Sequence, residues 1–581
     1  MALIAFFCLV LSWSGAHANV PSTHDVSTIE ARADERVVKA LEAWLKLYRD
    51  GKVAWNNKGI NRKDSVADKF GQLPKDFLGE LTRERELEIL LEKAAAEGTP
   101  EAMTMALEVA SIGLDDGKYT REMAPFLVRA LGEKWTPKFT APAALERMVQ
   151  TARGEAKVAK PRAAGMRAAA LRALGRSTEA QKRSILEQAL GAPEASVRLA
   201  AADGLAAAAD EQAVTALAGC IERETDDRVV EALVGALRAS LAKYAAAPAG
   251  GAEPPQAPES SRLAIRAAIG AIGRTSWRAD LALVGFLEDF RSAETIPALI
   301  AVLQRFKDNP QDVLSGKTSG LLLHRSHDVL VSLTGAVFPA DRPDQWRELW
   351  EKEKATMKVS FVRPAKAGDE ITVAGGFCGI PVQGTRVVFV LDLSGSMTAT
   401  MPVKATTASE IPDKLPTRLD FAKRELLRAL DQLPEVSSFN LVTFNGEAKA
   451  RQWQKDLQVA NARNKDAFRK YVNDLKAEGG TNLWGGIQEG LKLKSLVYGE
   501  RYESSVDELF VLSDGAPTVG EILDPQEILR IVAETNRFSR VRINTVFIST
   551  PGERLPDTMT IKPEELMRRM AEANGGRFVE L

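Results

Sequence analysis

From Thr28 to about Gln304 apolar residues recur at three- and four-residue spacing and strand-like runs are few, which predicts helix almost throughout. Part of that stretch repeats. Met166-Arg167, followed by Ala170, Leu171 and Leu174, resembles Val197-Arg198 with Ala201, Ala202 and Leu205, and again Val229 with Leu233, Val234 and Leu237. The offsets are 31 and 32 residues. A period of ~30–40 residues with one buried stripe per helix predicts stacked helical hairpins of the HEAT type, clearest over residues 163–242. An irregular Ala-rich bundle is the competing reading. Ile265-Arg266 begins a further candidate unit whose last apolar position is shifted by one, and before about Pro161 no period emerges. Ala245–Ser261, rich in Pro, Ala and Gly, reads as an exposed loop interrupting the array. His327 to Trp350 reads as a closing helical pair, with Trp346 and Trp350 on one apolar face.

After Lys358 the period becomes strand-like. VSFVRP and ITVAGGF are short and β-branched, whereas RVVFVLD is a continuous apolar run of buried-strand type. Alternation follows: helix Leu419–Leu433, strand Ser438–Phe444, helices Lys465–Lys476 and Trp484–Leu496, strand Glu508–Leu512, helix Pro525–Phe538, strand Arg542–Ser549, helix Pro563–Asn574 and strand Phe578–Glu580. The expected fold class is therefore multi-domain: an all-α repeat region over residues 28–357, a linker with short strands over 358–381, and over 382–581 a doubly wound α/β unit. Its sheet should be mostly parallel, with any ligand site beyond the carboxyl ends of the strands.

Composition adds limits. A chain of 581 residues is too long for one core. Lys plus Arg is 77 against 78 for Asp plus Glu, which gives no reason to expect nucleic acid or an anionic membrane as the main partner. Ala2 to Trp13 is apolar but too short to span a bilayer, and it ends near Ala16-His17-Ala18. A signal peptide over residues 1–18 and a mature start at Asn19 are expected, although no Lys or Arg precedes the run. No later segment predicts a membrane span. An exported location, in the periplasm, at the cell surface or secreted, follows as the expectation. Cys220 and Cys378 fall in different predicted domains and are expected to be independent thiols.

The chemistry lies where strand RVVFVL runs into Asp392-Leu393-Ser394-Gly395-Ser396-Met397. Carboxylate and hydroxyls spaced by two, with Gly395 allowing a tight turn, can converge on one point, and such hard oxygens suit Mg²⁺, Mn²⁺ or Ca²⁺. An Asp-x-Ser-x-Ser after an apolar strand resembles the first element of the metal-ion-dependent adhesion site of von Willebrand factor type A domains. Thr481, in Glu478-Gly479-Gly480-Thr481-Asn482, is similar to the second element. Asp514, ending Leu509-Phe510-Val511-Leu512-Ser513, is similar to the third. With its helical partner region, the chain resembles exported bacterial proteins that join helical repeats to a type A domain, and that resemblance implies a bacterial envelope first.

The resemblance implies that Asp392, Ser394, Ser396, Thr481 and Asp514 hold a divalent cation, Mg²⁺ first, with one position open to an Asp or Glu of a protein partner. Met397, Asn482 and Trp484 are candidate partner contacts, although Trp484 reads more readily as a buried helix anchor. The loop between Met397 and Arg418 lies beside the predicted metal and departs from the family pattern.

Other leads carry less. Gly316-Lys317-Thr318 lacks the first Gly and the preceding strand of a phosphate-binding loop. His324 and His327 have too few soft ligands nearby for zinc. No Gly-x-Ser-x-Gly elbow joins a strand to a helix, so no hydrolase is built. The expectation is a non-enzymatic binding protein whose helical repeats act as an interaction scaffold. The alternatives are a substrate-presenting subunit of an ATP-driven chelatase-like complex and a structural envelope scaffold.

Overall fold

The computed structural model describes residues from 142 onward, apart from 157–163, 176–179, 248–250, 362–375, 402–415, 492–504, 550–560 and a few isolated positions. The expected signal peptide, the helices before residue 142, the body of the 398–417 loop and most of VSFVRP and ITVAGGF lie outside the described residues.

The first half is a stack of helices: α1 (Pro142–Arg153), α2 (Lys182–Ala189), α3 (Ala195–Ala208), α4 (Val214–Ile221), α5 (Asp227–Ser240), α6 (Glu259–Ala271), α7 (Trp277–Asp289), α8 (Ile296–Asp308), α9 (Gly320–Thr334) and α10 (Pro343–Glu353). Alternate helices pack on one another: α3 on α5, α5 on α7 and α7 on α9 form one row, while α4 on α6 belongs to the other. That is the two-row stacking expected of a helical-hairpin solenoid. Small residues let the rows close up. A Cβ on Gly175 would lie 2.2 Å from the Gly204 carbonyl oxygen, so backbone meets backbone there.

The row that the repeat motif marks continues at Trp277, not at Ile265 as expected. Ile265 belongs to α6, in the other row, because residues 245–261 lengthen that unit and displace the next motif helix to α7. Trp346 is buried, whereas Trp350 is only half-buried. Cys220 and Cys378 are both free and buried.

The second half is built on β1 (Arg386–Asp392), β2 (Ser438–Phe444), β3 (Arg451–Gln452), β4 (Gln458–Val459), β5 (Glu508–Ser513), β6 (Arg542–Phe547) and β7 (Phe578–Glu580), in the order β3-β2-β1-β5-β6-β7 with β4 also on β2. β2, β1, β5, β6 and β7 run parallel; the two-residue β3 and β4 pair antiparallel to β2, and such short pieces carry no readable period. Alternation along β1 sends Val387, Phe389 and Leu391 to one face and Val388 and Val390 to the other.

On the first face lie α11 (Arg418–Gln432) and α12 (Ala462–Asp474). On the second lie α13 (Leu483–Leu491), α14 (Pro525–Ser539) and α15 (Pro563–Ala573). Both faces are covered, which is why β1 and β5 read as nearly unbroken apolar runs.

The two halves touch, at the amino edge of the sheet. Asp507, just before β5, accepts hydrogen bonds from Ser319 Oγ at 2.8 Å and from Arg386 Nε at 2.9 Å. At the end of α14, Arg278 Nε donates to the Ser539 carbonyl at 2.6 Å, Arg540 pairs with the buried Glu231 at 3.0 Å, and Phe538 joins the apolar core of the solenoid. Because the strands are parallel, their carboxyl ends point away from the helical array.

Candidate metal centre

β1 lies between β2 and β5, so the chain leaves it to one side and returns on the other, and Asp392 ends β1 at that switch point. Its carboxylate is fully buried. Oδ1 accepts the Ser394 backbone N–H at 2.8 Å, which sets the turn, and Oδ2 accepts the Ser513 hydroxyl at 2.6 Å. Burial, with the negative charge of Asp514 nearby, pushes the Asp392 carboxyl up to about 6, while the hydrogen bonds from Ser513 and Ser394 pull it back. Among the described residues Asp392 has no ion-pair partner.

The remaining oxygens converge. Ser394 Oγ and Ser396 Oγ are 2.9 Å apart, and Ser396 Oγ donates to Asp514 Oδ1 at 2.8 Å. Ser394 and Asp514 are buried while Ser396 is exposed, so the cluster opens to solvent at Ser396. The other carboxylate oxygen of Asp514 accepts from Arg418 Nη1.

Thr481 is brought up by backbone ties. Gly395 N donates to the Gly479 carbonyl at 2.9 Å, Glu478 N to the Leu393 carbonyl at 2.7 Å, and Thr518 N to the Thr481 carbonyl at 3.0 Å. Those three bonds bind the β1 turn, the Gly-rich loop and the segment after β5 into one unit. The Thr481 hydroxyl has no hydrogen-bond partner among the described residues. All five expected site residues thus stand on three segments at the carboxyl edge of the sheet.

This donor set fits a hard divalent cation: three hydroxyls and two carboxylates, one of them buried without a cation partner. It is poor in His, Cys and carboxylate, and among the described residues no group of three or more such side chains could hold a metal. His327 instead contacts the Phe338 carbonyl at 2.7 Å and meets the Trp346 ring edge-on.

The three candidate partner contacts need correction. Met397, Asn482 and Trp484 are buried at 0%, 3% and 2% exposure, so none faces a partner. Met397 fills the core beneath the turn. The Asn482 side chain accepts from Gly485 N at 3.0 Å and donates to the Glu447 carbonyl at 2.9 Å, fixing the start of α13. Trp484 packs with Phe444 under the sheet, as its reading as a helix anchor has it.

Two further residues of the cluster escaped the sequence reading. Ser513 orients Asp392, and its only signal was adjacency to Asp514. Arg418 lies 96 positions from its partner, with no motif around it.

Residues 385–578 match the family described as von Willebrand factor type A domain. This part of the chain is a type A domain. Residues 157–238 match HEAT repeats, so the repeat array precedes the type A domain. The chain is 31% identical over 179 residues to human (Homo sapiens) inter-alpha-trypsin inhibitor heavy chain H4, covering 29% of this chain and 17% of that protein. It is 32% identical over 154 residues to inter-alpha-trypsin inhibitor heavy chain H1 of Sus scrofa, covering 26% and 15%. The chain therefore spans less than a fifth of the length of these relatives. A solved von Willebrand factor type A structure from Catenulispora acidiphila aligns with TM-score 0.24 and 19% identity over 34% of this chain and 38% of that one. No helix among the described residues is long and apolar enough to cross a membrane.

Proposed function

We propose that Asp392, Ser394, Ser396, Thr481 and Asp514 hold a divalent cation, with Mg²⁺ first and Mn²⁺ or Ca²⁺ as substitutes, and that the protein uses it to bind an Asp or Glu of a protein partner. The observation that carries this reading is the chain of contacts Ser394–Ser396–Asp514 beside the buried, cation-less Asp392. A bound cation would act as a Lewis acid with a coordination position left for the incoming carboxylate. The protein's own part is positional. Ser513 aims Asp392, the β1 turn presents both serine hydroxyls, and exposed Ser396 marks the side from which a partner arrives.

A type A domain joined to HEAT repeats supports a binding role, and the opposition of the two edges supports a division of labour. The described solenoid meets the amino edge, and among the described residues no solenoid contact reaches the carboxyl edge. Export to the cell envelope belongs to the same reading and rests on the apolar start of the chain ending at Ala16-His17-Ala18.

The test is affinity capture from an envelope fraction with Mg²⁺ and again with EDTA, alongside Asp392→Ala and Asp514→Ala. Chelation and each variant should abolish capture of an acidic partner. Capture unchanged in all three would end the proposal.

A further inference from the structure

Arg418 is an unexpected cation to find at this site. It opens α11, whose start is fixed by a capping box in which Thr417 accepts from Asp420 N at 3.0 Å. A helix amino end carries partial positive charge and disfavours a basic residue. Burial adds to that cost, because only 6% of the Arg418 side chain is exposed. Backbone bonds nevertheless hold it in place. Arg418 N donates to the Ala399 carbonyl at 2.8 Å, Met401 N donates to the Pro416 carbonyl at 3.0 Å, and Thr400 bridges Thr417, so the foot of the 398–417 loop is stapled just past Ser396. From there the guanidinium reaches the fully buried carboxylate of Asp514.

We infer that Arg418 sets the charge of the cation site, weakening capture of a bare divalent ion and reserving the loaded site for an anionic ligand. The inference rests on the metal-binding reading above. Its basis is a charge balance. Asp392 and Asp514 alone would be neutralised by one divalent cation, leaving no net charge to attract a carboxylate. With the Arg418 guanidinium on Asp514, the same site carries one negative charge before loading and one positive charge after it. A partner's carboxylate then completes neutrality. Because charges in a buried site are weakly screened, this single unit decides which species the site favours. By thermodynamic reciprocity, an anion that favours the loaded site must also tighten the cation.

The experiment titrates Mn²⁺ into the full chain by calorimetry, in chloride and in acetate at equal ionic strength, for wild type, Arg418→Gln and Arg418→Lys. Circular dichroism checks that each variant is folded. Arg418→Gln should bind Mn²⁺ about tenfold or more tightly than wild type in chloride, and Arg418→Lys, which keeps the charge, should stay within about threefold of it. Acetate should tighten Mn²⁺ binding to wild type and lose that effect in Arg418→Gln. The wild-type acetate arm needs no variant, so an absent acetate effect overturns the inference even if Arg418→Gln does not fold, and Arg418→Lys then supplies the variant comparison. An Arg418→Gln affinity no higher than wild type, or no acetate effect on wild type, overturns the role of Arg418 while leaving metal binding intact. Failure of both wild type and Arg418→Gln to bind Mn²⁺ overturns the metal-binding reading as well.

Discussion

Arg537, near the end of α14, donates to Asp203 of α3 at 2.6 Å across 334 positions of chain. Asp203 also accepts from Arg172 Nε at 3.0 Å, within the solenoid. One carboxylate therefore serves both a contact inside the repeat array and a contact between the halves. Asp203→Ala removes an acceptor that two arginines share, whereas Arg537→Ala removes only one of the donors to it. In urea unfolding, Asp203→Ala should cost about 2–4 kcal/mol and Arg537→Ala about 1 kcal/mol. Equal losses would show that Asp203 does not join the two contacts.

Ser513 offers a test of how Asp392 is aimed. Its hydroxyl holds Asp392 Oδ2 at 2.6 Å, and both side chains are fully buried. Ser513→Ala leaves every proposed ligand in place and frees the carboxylate to turn. Groups that orient a ligand are worth about 10–100-fold in metal affinity. Ser513→Ala should therefore weaken Mn²⁺ binding by about tenfold, and Ser396→Ala, which breaks the bridge between Ser394 and Asp514, by more. Calorimetric affinities equal to wild type would remove Ser513 from the site's machinery.

Much of this was legible in the chain, and what was not has a physical cause. β2 and β7 coincide with the runs Ser438–Phe444 and Phe578–Glu580; β2 is buried along nearly all its length and writes itself as a mostly apolar block, whereas β7 is a half-buried edge strand legible from the alternation of helix and strand. The helix row was legible as far as Val229 and lost after it, because the 245–261 insertion broke the period on which repeat reading depends. Met397 and Asn482 looked like surface contacts by proximity to the motif, yet burial follows from three-dimensional packing that spacing does not encode. Arg418 and Ser513 act over 96 and 121 positions of sequence, and one chain without a motif gives no sign of such pairs.

Asp280, in α7, gives the solenoid a pH dependence. The side chain is buried, Gly273 N donates to it at 2.7 Å, and Arg305 stands 3.7 Å away. Burial raises its carboxyl to about 6 from an ordinary 3.8. The folded state thus holds the proton more tightly than the unfolded state. Its contribution to stability is fully present below the unfolded value and is lost as pH rises through about 6. Asp280→Asn mimics the neutral acid and keeps an acceptor for Gly273. At about pH 7.5 the variant should be more stable than wild type by on the order of 1–2 kcal/mol, and near pH 4 the two should converge. A thermal-unfolding gap that is the same at both values would mean that Asp280 does not titrate as its burial requires.

Two glycines separate distance along the chain from effect on the site. Gly446 follows β2 and belongs to no ligand, yet a Cβ there would stand 2.7 Å from Gly480 N, the backbone just before Thr481. Backbone cannot swing aside as a flexible side chain can, so Gly446→Ala must push the Gly479–Gly480 loop and carry Thr481 with it. Gly515 is covalently next to Asp514, but a Cβ there meets nothing within 4 Å and its φ is not positive. Gly446→Ala should weaken Mn²⁺ binding by about tenfold at a stability cost of about 1–3 kcal/mol, and Gly515→Ala should change neither appreciably. Adjacency to a ligand would predict the reverse order. Calorimetry on the two variants decides between them, because only the packing argument makes the remote glycine the damaging one.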